Sequence, residues 1–267
     1  MKFAVIDRGD SLSTELKQNI IKMAKEQGLV YDQNYPNYVI SIGGDGTLLK
    51  AFHQYSHLID DVAFVGIHTG HLGFYADWQV HEIDKLIQAM AHNEPHIVKY
   101  PLASLEVQTT FETKHYYALN EFTLKSVNST LVAQIDINNE PFEMFRGDGL
   151  VLSTPSGSTA YNKSVGGAVI HPSIDMIQLS EIASINNRIY RTLGSSIVLP
   201  KHHCLEIKNI AQQTILISID HQAQMLTDLI SVRCSVSDHK VKFARFRPFP
   251  FWNRVRDAFI DSDSFKQ

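Results

Sequence analysis

The chain has 267 residues, 44% hydrophobic and 19% charged, with a formal net charge of −4 at pH 7. This small negative charge argues against nucleic-acid binding by bulk electrostatics, and no apolar run approaches the ~18 residues that a membrane span needs. The N-terminus "MKFAVIDRGD" is typical of a short strand rather than a signal peptide. The chain has only two cysteines, Cys204 and Cys234, which is typical of proteins in a reducing compartment. We therefore predict a cytoplasmic protein with neither nucleic-acid nor membrane partners.

Strand and helix patterns alternate over the first hundred residues. Short β-branched runs at 3–6, 39–42 and 62–67 each predict a strand, and each precedes apolar residues at helical spacing. The first predicted helix contains Leu12, Leu16, Ile20 and Met23, with Ser11 or Ser13 as its N-cap and Gly28 as its stop; the second covers 47–58; the third contains Ile83, Leu86, Ile87 and Met90. This alternation indicates βαβ units and a mainly parallel sheet.

The pattern changes near residue 101, where short β-rich runs separated by turn residues begin. These runs are "LASLEVQTT", "HYYALNEFTLKSV", "LVAQIDIN", "LVLSTP", "SIVLP", "CLEIKN", "TILISID", "SVRCSV" and "VKFARF". They predict an antiparallel, sandwich-like domain over 101–248 that follows an α/β domain over 1–100. The expected fold class is α+β overall.

The turn Gly43-Gly44-Asp45-Gly46-Thr47 lies where a predicted buried strand leads into a helix. Free backbone N–H groups and the helix dipole favour an anion there, and glycines allow the backbone to approach it closely. A carboxylate at this turn would repel a phosphate unless a cation or a hydroxyl lies between them. Asp45 therefore indicates phosphoryl chemistry, in which it organises Mg²⁺ or accepts a proton from an attacking hydroxyl. The alternative is a plain glycine-rich turn with Asp45 as a helix cap.

Two familiar nucleotide motifs are absent from the sequence. G-x-x-x-x-G-K-[ST] and G-x-G-x-x-G do not occur, so neither a Walker-type P-loop nor a Rossmann dinucleotide site is predicted. His68-x-x-His71 lacks the glutamate of a zinc helix, so no fixed metal site is predicted either.

A second stretch, "FRGDGLVLSTPSGSTAYNKSVGGAVIHP" at 145–172, is rich in short hydroxyl donors. It begins with Gly-Asp-Gly around Asp148 and continues through a Pro-Ser-Gly turn to Tyr161. Hydroxyls, backbone amides and one aromatic face suit an adenine ring and its ribose, with Asp148 as an acceptor. The alternative is a polar connection between strands.

These motifs together resemble the bacterial NAD kinases of the Gram-positive type over nearly the whole chain. The matching segments are "GGDGTLLKAFH", "GIHTGHLGFYADW", "ALNE", "RGDGLVLSTPSGSTAYNKSVGGAVIHP", "EIASINNR" and "LPKHH". Gly-Gly-Asp-Gly-Thr alone is shared with diacylglycerol and sphingosine kinases and, approximately, with phosphofructokinases. Its combination with Asn120-Glu121 and with Thr-Pro-Ser-Gly-Ser-Thr-Ala-Tyr is much more specific.

The resemblance implies transfer of the terminal phosphoryl group of ATP, or of another NTP or polyphosphate, to the 2′-hydroxyl of the adenosine ribose of NAD, giving NADP. It implies Mg²⁺ carried with the donor, a homotetramer, and a C-terminal segment, 249–267, that packs back towards the N-terminal domain. Read alone, that basic, aromatic segment is also compatible with a nucleic-acid or membrane-surface patch.

The resemblance also implies roles for individual residues. Asp45 is the implied catalytic group, in a phosphate loop of Gly43, Gly44, Gly46 and Thr47. Asn120 and Glu121 would hold the adenine and the ribose hydroxyls, and Asp148 would come from a neighbouring subunit. The implied NAD contacts are Asp45, Gly46, Phe74, Tyr75, Asn120, Glu121, Arg146, Asp148, Ser158, Thr159, Ala160, Tyr161, Asn162, Lys163, Ser164 and Ala183, with Asp220, His221 and Gln222 at the nicotinamide end.

Two other functions are compatible with parts of the sequence. A lipid kinase would share the turn around Asp45, but nothing like the 145–172 stretch would be required. A non-catalytic NAD(P)-sensing protein would use that stretch, but would not need Asp45.

Overall fold

The computed structural model describes residues 1–70 and 73–260, so His71 of the H-x-x-H pair and the end of the C-terminal segment, 261–267, lie outside the described residues. The chain divides into two compact units. Unit 1 is Met1–Lys99 together with the chain from Val241 onward, and unit 2 is Tyr100–Lys240. Among the described helices, none is long and apolar enough to cross a membrane.

Unit 1 has the alternating strands and helices that the sequence predicts. Its elements up to residue 92 are β1 (Lys2–Asp7), α1 (Ser11–Glu26), β2 (Val30–Tyr31), β3 (Tyr38–Ile42), α2 (Asp45–Gln54), β4 (Ala63–His68), β5 (Trp78–Gln79) and α3 (Ile83–His92). Strands β2, β1, β3 and β4 pair in that order and are all parallel, which confirms the predicted parallel sheet. Parallel strands end at one edge, so the turn after β3 and the chain after β4 lie close together.

Two helix starts differ from the prediction. The N-cap of α1 is Asp10, whose carboxylate accepts the N–H of Ser13 at 3.0 Å, so the predicted cap at Ser11 or Ser13 was wrong. Helix α2 begins at Asp45 rather than at 47 and ends at Gln54, before a separate 3₁₀ turn at Ser56–Leu58. Asp45 is therefore part of the first turn of the helix.

Unit 2 is built from antiparallel strands, as predicted. The remaining elements of the chain are β6 (His96–Thr109), β7 (Thr113–Ala118), β8 (Glu121–Ser126), β9 (Leu131–Ile137), β10 (Glu140–Gly147), β11 (Gly149–Ser153), α4 (Tyr161–Ser164), β12 (Met176–Ile182), β13 (Ile197–Pro200), β14 (Cys204–Lys208), β15 (Ile215–Ile219), β16 (Gln222–Leu226), β17 (Leu229–Arg245) and α5 (Phe251–Phe259). The sequence missed β10, β12 and β16, and split the single strand β17 into two. It also merged β7 and β8, which are separated at Leu119-Asn120.

A six-stranded sheet in unit 2, of order β13-β12-β11-β8-β15-β16, has one apolar and one polar face. Phe122 and Leu124 of β8 lie in the hydrophobic core. Side chains alternate along a strand, so Glu121, Thr123 and Lys125 lie on the opposite face. There they have Ser153, Val151 and Gly149 of β11 as register partners. Glu121 lies on this face, and two further predicted nucleoside contacts, Tyr161 and Asn162, are hydrogen-bonded to it through Lys125 and Ser180.

Candidate active site

The first part of the site lies in unit 1, around Asp45. The Asp45 carboxylate accepts two backbone N–H groups, that of Phe74 on Oδ2 at 2.8 Å and that of Tyr75 on Oδ1 at 3.2 Å. Gly73 packs so closely on this carboxylate that a Cβ there would lie 2.2 Å from Oδ1. The turn after β3 and the segment after β4 are thus joined through one side chain.

The environment of Asp45 favours a basic carboxylate. Burial raises the pKa of the Asp45 carboxyl above its ordinary value, against the opposing effects of the two N–H donors, Arg254 and His68. Each oxygen accepts one backbone hydrogen bond and has two lone pairs, so each keeps a position for another donor. This arrangement suits a group that accepts a proton from a hydroxyl.

Phe74 and Tyr75 meet Asp45 through their backbones rather than their rings. The Tyr75 ring is 3% exposed and stacks on Phe243, with 5.5 Å between centroids. The Phe74 ring contacts Phe251 and Phe259 of α5, at centroid distances of 6.3 and 5.7 Å. The predicted contact of these two residues with NAD stays a prediction.

The glycine-rich turn has two shaping positions and two open ones. The Gly43 N–H donates to the carbonyl of Ile67 at 2.9 Å, and the N–H of the buried Thr47 donates to that of Gly44 at 3.0 Å. Gly44 and Gly46 are exposed, and a Cβ added at either would touch nothing within 4 Å. The backbone at these two positions is open to a ligand.

In unit 2, one carboxylate organises the segment between β7 and β8. Asp220 accepts the N–H of Leu119 on Oδ2 at 3.0 Å, and those of Asn120 and Glu121 on Oδ1 at 2.7 and 3.2 Å. Asp220 itself has φ +52°, a left-handed conformation that aspartate tolerates better than most residues. Its carboxylate thus fixes the backbone of the Asn120-Glu121 pair, a role that the sequence did not indicate.

Glu121 has an unusual protonation state. Burial and, to a smaller extent, the nearby charge of Asp220 raise the pKa of its carboxyl to about 8, against the opposing effect of the hydrogen bond from the Tyr161 N–H. Its Oε2 is buried and has no hydrogen-bond partner among the described residues. This shift favours the protonated form of Glu121 at neutral pH.

The segment 156–164 combines enclosed and accessible side chains. Ser158 and Asn162 are fully buried: the Ser158 hydroxyl bonds the N–H and carbonyl of Ile170 at 2.8 and 3.2 Å, and Asn162 Oδ1 accepts the hydroxyl of Ser180 at 2.7 Å. These two side chains hold the shape of the segment. The other predicted contacts in this segment have side chains that a ligand can reach; they are Thr159, Ala160, Tyr161, Lys163 and Ser164.

Tyr161 is held in place by Lys125. The Lys125 ammonium donates to the Tyr161 hydroxyl at 2.9 Å and lies 4.9 Å from the ring centroid. The ammonium therefore lies at the hydroxyl end of the ring. The Tyr161 N–H donates a hydrogen bond to Glu121, and the Tyr161 hydroxyl accepts one from Lys125. Glu121 and Lys125 lie on the same strand, β8.

The remaining predicted residues of unit 2 lie at its surface. The Arg146 guanidinium stacks on Tyr190 at 4.3 Å, and Asp148 is exposed between two buried glycines. Ala183 has φ +45°, rare for a residue with a Cβ, and lines a cavity of about 560 Å³ with Glu181 and neighbouring residues. His221 and Gln222 are exposed where β15 turns into β16.

Sequence reasoning missed Lys125 and Arg254. Lys125 follows Glu121 by four residues along a strand, so the alternation of "EFTLK" would have placed both on one face. Arg254, whose Nη1 donates to the carbonyl of Gly73 at 2.8 Å, follows it by 181 residues and has no local signal.

Comparison with known proteins bears directly on this geometry. The family model described as "ATP-NAD kinase N-terminal domain" matches residues 14–95, and the model described as "ATP-NAD kinase C-terminal domain" matches residues 119–246. The chain belongs to the NAD kinase family. NAD kinase 1 of Bacillus subtilis is 55% identical over 97% of this chain and 98% of its own length, and an NAD kinase of Staphylococcus epidermidis is 54% identical over 98% and 99%. The family confirms the resemblance found in the sequence.

Solved structures show the same fold. A yeast NADH kinase complexed with NADH has a TM-score of 0.82 at 18% identity, covering 100% of this chain and 89% of its own. An NAD kinase from Archaeoglobus fulgidus in complex with ATP has a TM-score of 0.75 at 20% identity, covering 96% and 98%. The expected NAD kinase-like α+β fold is thereby confirmed.

Proposed function

We propose that the chain is an NAD kinase, which transfers the terminal phosphoryl group of ATP to the 2′-hydroxyl of the adenosine ribose of NAD and releases NADP and ADP. The observation that carries this proposal is family membership across nearly the whole chain, at 52–55% identity to curated NAD kinases. The geometry around Asp45 and on the polar face of unit 2 agrees with it.

Asp45 is the residue to which we assign the chemical role. Its carboxylate accepts the proton of the attacking hydroxyl as the oxygen bonds to phosphorus and the bond from phosphorus to the ADP oxygen breaks. Two backbone donors fix the carboxylate, and burial makes it more basic. Such general-base assistance contributes about 10²–10⁴-fold, and positioning supplies much of the remainder.

The polar face of unit 2 is the surface to which we assign NAD. The protonated Glu121 would donate a hydrogen bond to a ribose oxygen, and Asn120, held by Asp220, would contact the adenine. Tyr161 would present the ring face that Lys125 leaves uncovered, and Arg146, Asp148 and Ala183 would contact the same nucleotide. His221 and Gln222 would contact the nicotinamide end.

Further features of the reaction follow from the family resemblance as proposals. The donor substrate is MgATP, with other NTPs and polyphosphate as candidate donors, and the assembly is a homotetramer in which Asp148 reaches a neighbour's nucleotide. Among the described residues no three His, Cys, Asp or Glu side chains cluster as metal ligands. The cytoplasmic location stays a prediction.

One incubation separates this function from its two alternatives. The protein is mixed with MgATP and NAD, or with MgATP and diacylglycerol or sphingosine, and NADP, phospholipid, ADP and bound NAD are each measured. NADP formation with no lipid phosphorylation supports the proposal. Lipid phosphorylation alone would identify a lipid kinase, and NAD binding without any ADP release would identify a sensor.

A further inference from the structure

The segment Gly73–Asp77 is fixed on two sides, and both sides lie in unit 1. On one side the Asp45 carboxylate accepts the N–H groups of Phe74 and Tyr75. On the other side, Arg254 donates to the Gly73 carbonyl at 2.8 Å, and Arg245 donates to the Tyr75 carbonyl at 3.0 Å. The segment therefore connects the C-terminal stretch of the chain to Asp45.

Arg254 and Asp45 are bound to the two ends of one peptide group. The Gly73 carbonyl, which accepts from Arg254, and the Phe74 N–H, which donates to Asp45, belong to the same planar unit. Because the unit is planar, an arginine that orients the carbonyl also sets the direction of the N–H. The guanidinium cation at the Gly73 carbonyl oxygen also polarises the peptide group, which strengthens the hydrogen bond from the Phe74 N–H to the Asp45 carboxylate.

The surroundings hold Arg254 in this position. Its side chain is 12% exposed, its Nη2 lies 3.7 Å from Asp77, and its guanidinium stacks on Phe249 at 4.3 Å. Helix α5, which carries Arg254, is anchored by Phe251, a 6% exposed residue in contact with the Phe74 ring. The arginine is thus a largely buried, oriented cation rather than a surface charge.

We propose that Arg254 is a positioning residue for the reaction, acting on Asp45 through the Gly73–Phe74 peptide. This inference rests on the proposed role of Asp45 as the base. Arg254 touches no substrate in this account; it sets the carboxylate geometry for proton transfer. Displacements near 1 Å cost up to about 10²-fold in rate, so loss of this contact should lower kcat by roughly 10- to 100-fold.

The test compares Arg254→Gln, Arg254→Lys and the control Arg256→Gln. Arg256 lies on the same helix, is 44% exposed and pairs with its neighbour Asp257, so its loss removes a charge without touching the segment. We measure kcat and KM for NAD and ATP, NAD affinity by calorimetry, and thermal unfolding. We expect Arg254→Gln to lower kcat while NAD affinity stays within about twofold. Arg254→Lys should recover most of the lost kcat, because its ammonium supplies one N–H donor. Arg256→Gln should have the kcat of the unmodified chain.

A double-mutant cycle with Asp45→Asn distinguishes positioning from general structural support. If Arg254 acts through Asp45, Arg254→Gln should have almost no further effect on kcat in the Asp45→Asn background. Multiplicative losses in the double variant would overturn the proposal. So would an unchanged kcat in Arg254→Gln, or a loss that tracks lower NAD affinity and is not recovered by lysine. Failure of the unmodified chain to make NADP would instead refute the proposed function.

Discussion

Glu121 gives the most direct link between the site and the stability of the fold. Its folded-state pKa is raised to about 8 from a reference value of 4.5, first by burial and then by the charge of Asp220. Between these two values the folded state keeps a proton that the unfolded state releases. The contribution of Glu121 to the free energy of unfolding therefore falls as the pH rises from 4.5 towards 8.

Replacement of Glu121 by Gln removes this dependence and keeps a neutral, hydrogen-bonding side chain. Each pKa unit corresponds to about 1.4 kcal/mol. Relative to the unmodified chain, Glu121→Gln should gain roughly 1 kcal/mol of unfolding free energy at about pH 5.5 and roughly 3 kcal/mol at about pH 7. The Glu121 carboxyl is thus predicted to reduce the stability of the protein at neutral pH.

Denaturant unfolding without NAD, at those two pH values, measures this difference. Glu140→Gln is the control, since Glu140 is exposed at the start of β10 and its replacement removes the same charge from the surface. The unfolding free energy of Glu140→Gln should follow that of the unmodified chain at both pH values. A stability difference for Glu121→Gln that is equal at both would show that Glu121 is ionised in the folded protein and refute the reasoning.

Three further predictions concern catalysis, binding and assembly. Asp45→Asn should lower kcat by at least about 10²-fold because the base is lost, with calorimetric NAD affinity retained; a near-normal kcat would remove Asp45 from the mechanism. Tyr161→Ala should weaken NAD binding by about 1–2 kcal/mol. Tyr161→Phe should weaken it by less, because it loses only the hydrogen bond from Lys125. Equal effects of the two substitutions would show that the Tyr161 ring makes no contact with NAD. On dilution, mass photometry should show specific activity falling as the oligomer dissociates, with NAD opposing dissociation, whereas fully active monomers would refute a site shared through Asp148.

The sequence predicted most of unit 1 because its signals are local. The period of apolar residues predicted the parallel strands and the helices, and the glycine-rich turn made Asp45 the candidate for the chemical role. The error at the start of α1 is also local: Asp10, Ser11 and Ser13 are all good caps, and only the geometry shows that Asp10 accepts the N–H of Ser13.

The strands missed in unit 2 lack a clear local pattern. β16 is almost wholly exposed, and β10 is exposed at four of its eight residues, so neither has a continuous buried apolar face. β12 is buried but contains Gln178 and Ser180, which bond to residues of the 158–170 region rather than to solvent. The formation of β10, β12 and β16 therefore depends on pairing with other strands rather than on a pattern in their own sequence.

The sequence supplied the candidate residues of the site but not the contacts between them. Asp220 binds backbone groups about a hundred residues away, and Arg254 reaches Gly73 across most of the chain. Such contacts follow from tertiary packing and leave no period in the sequence. The raised pKa of Glu121 likewise depends on burial and on Asp220, which only the fold brings together.

The most direct measurement of the central claim is the identity of the product. The purified chain is incubated with NAD and MgATP labelled in the terminal phosphoryl group, and the product is analysed by phosphorus NMR and mass spectrometry. An analogue of NAD that lacks the 2′-hydroxyl of the adenosine ribose is run in parallel. The account predicts labelled NADP with its new phosphate on that 2′-oxygen, and no transfer to the analogue. Label at any other position, or equal transfer to the analogue, would contradict it.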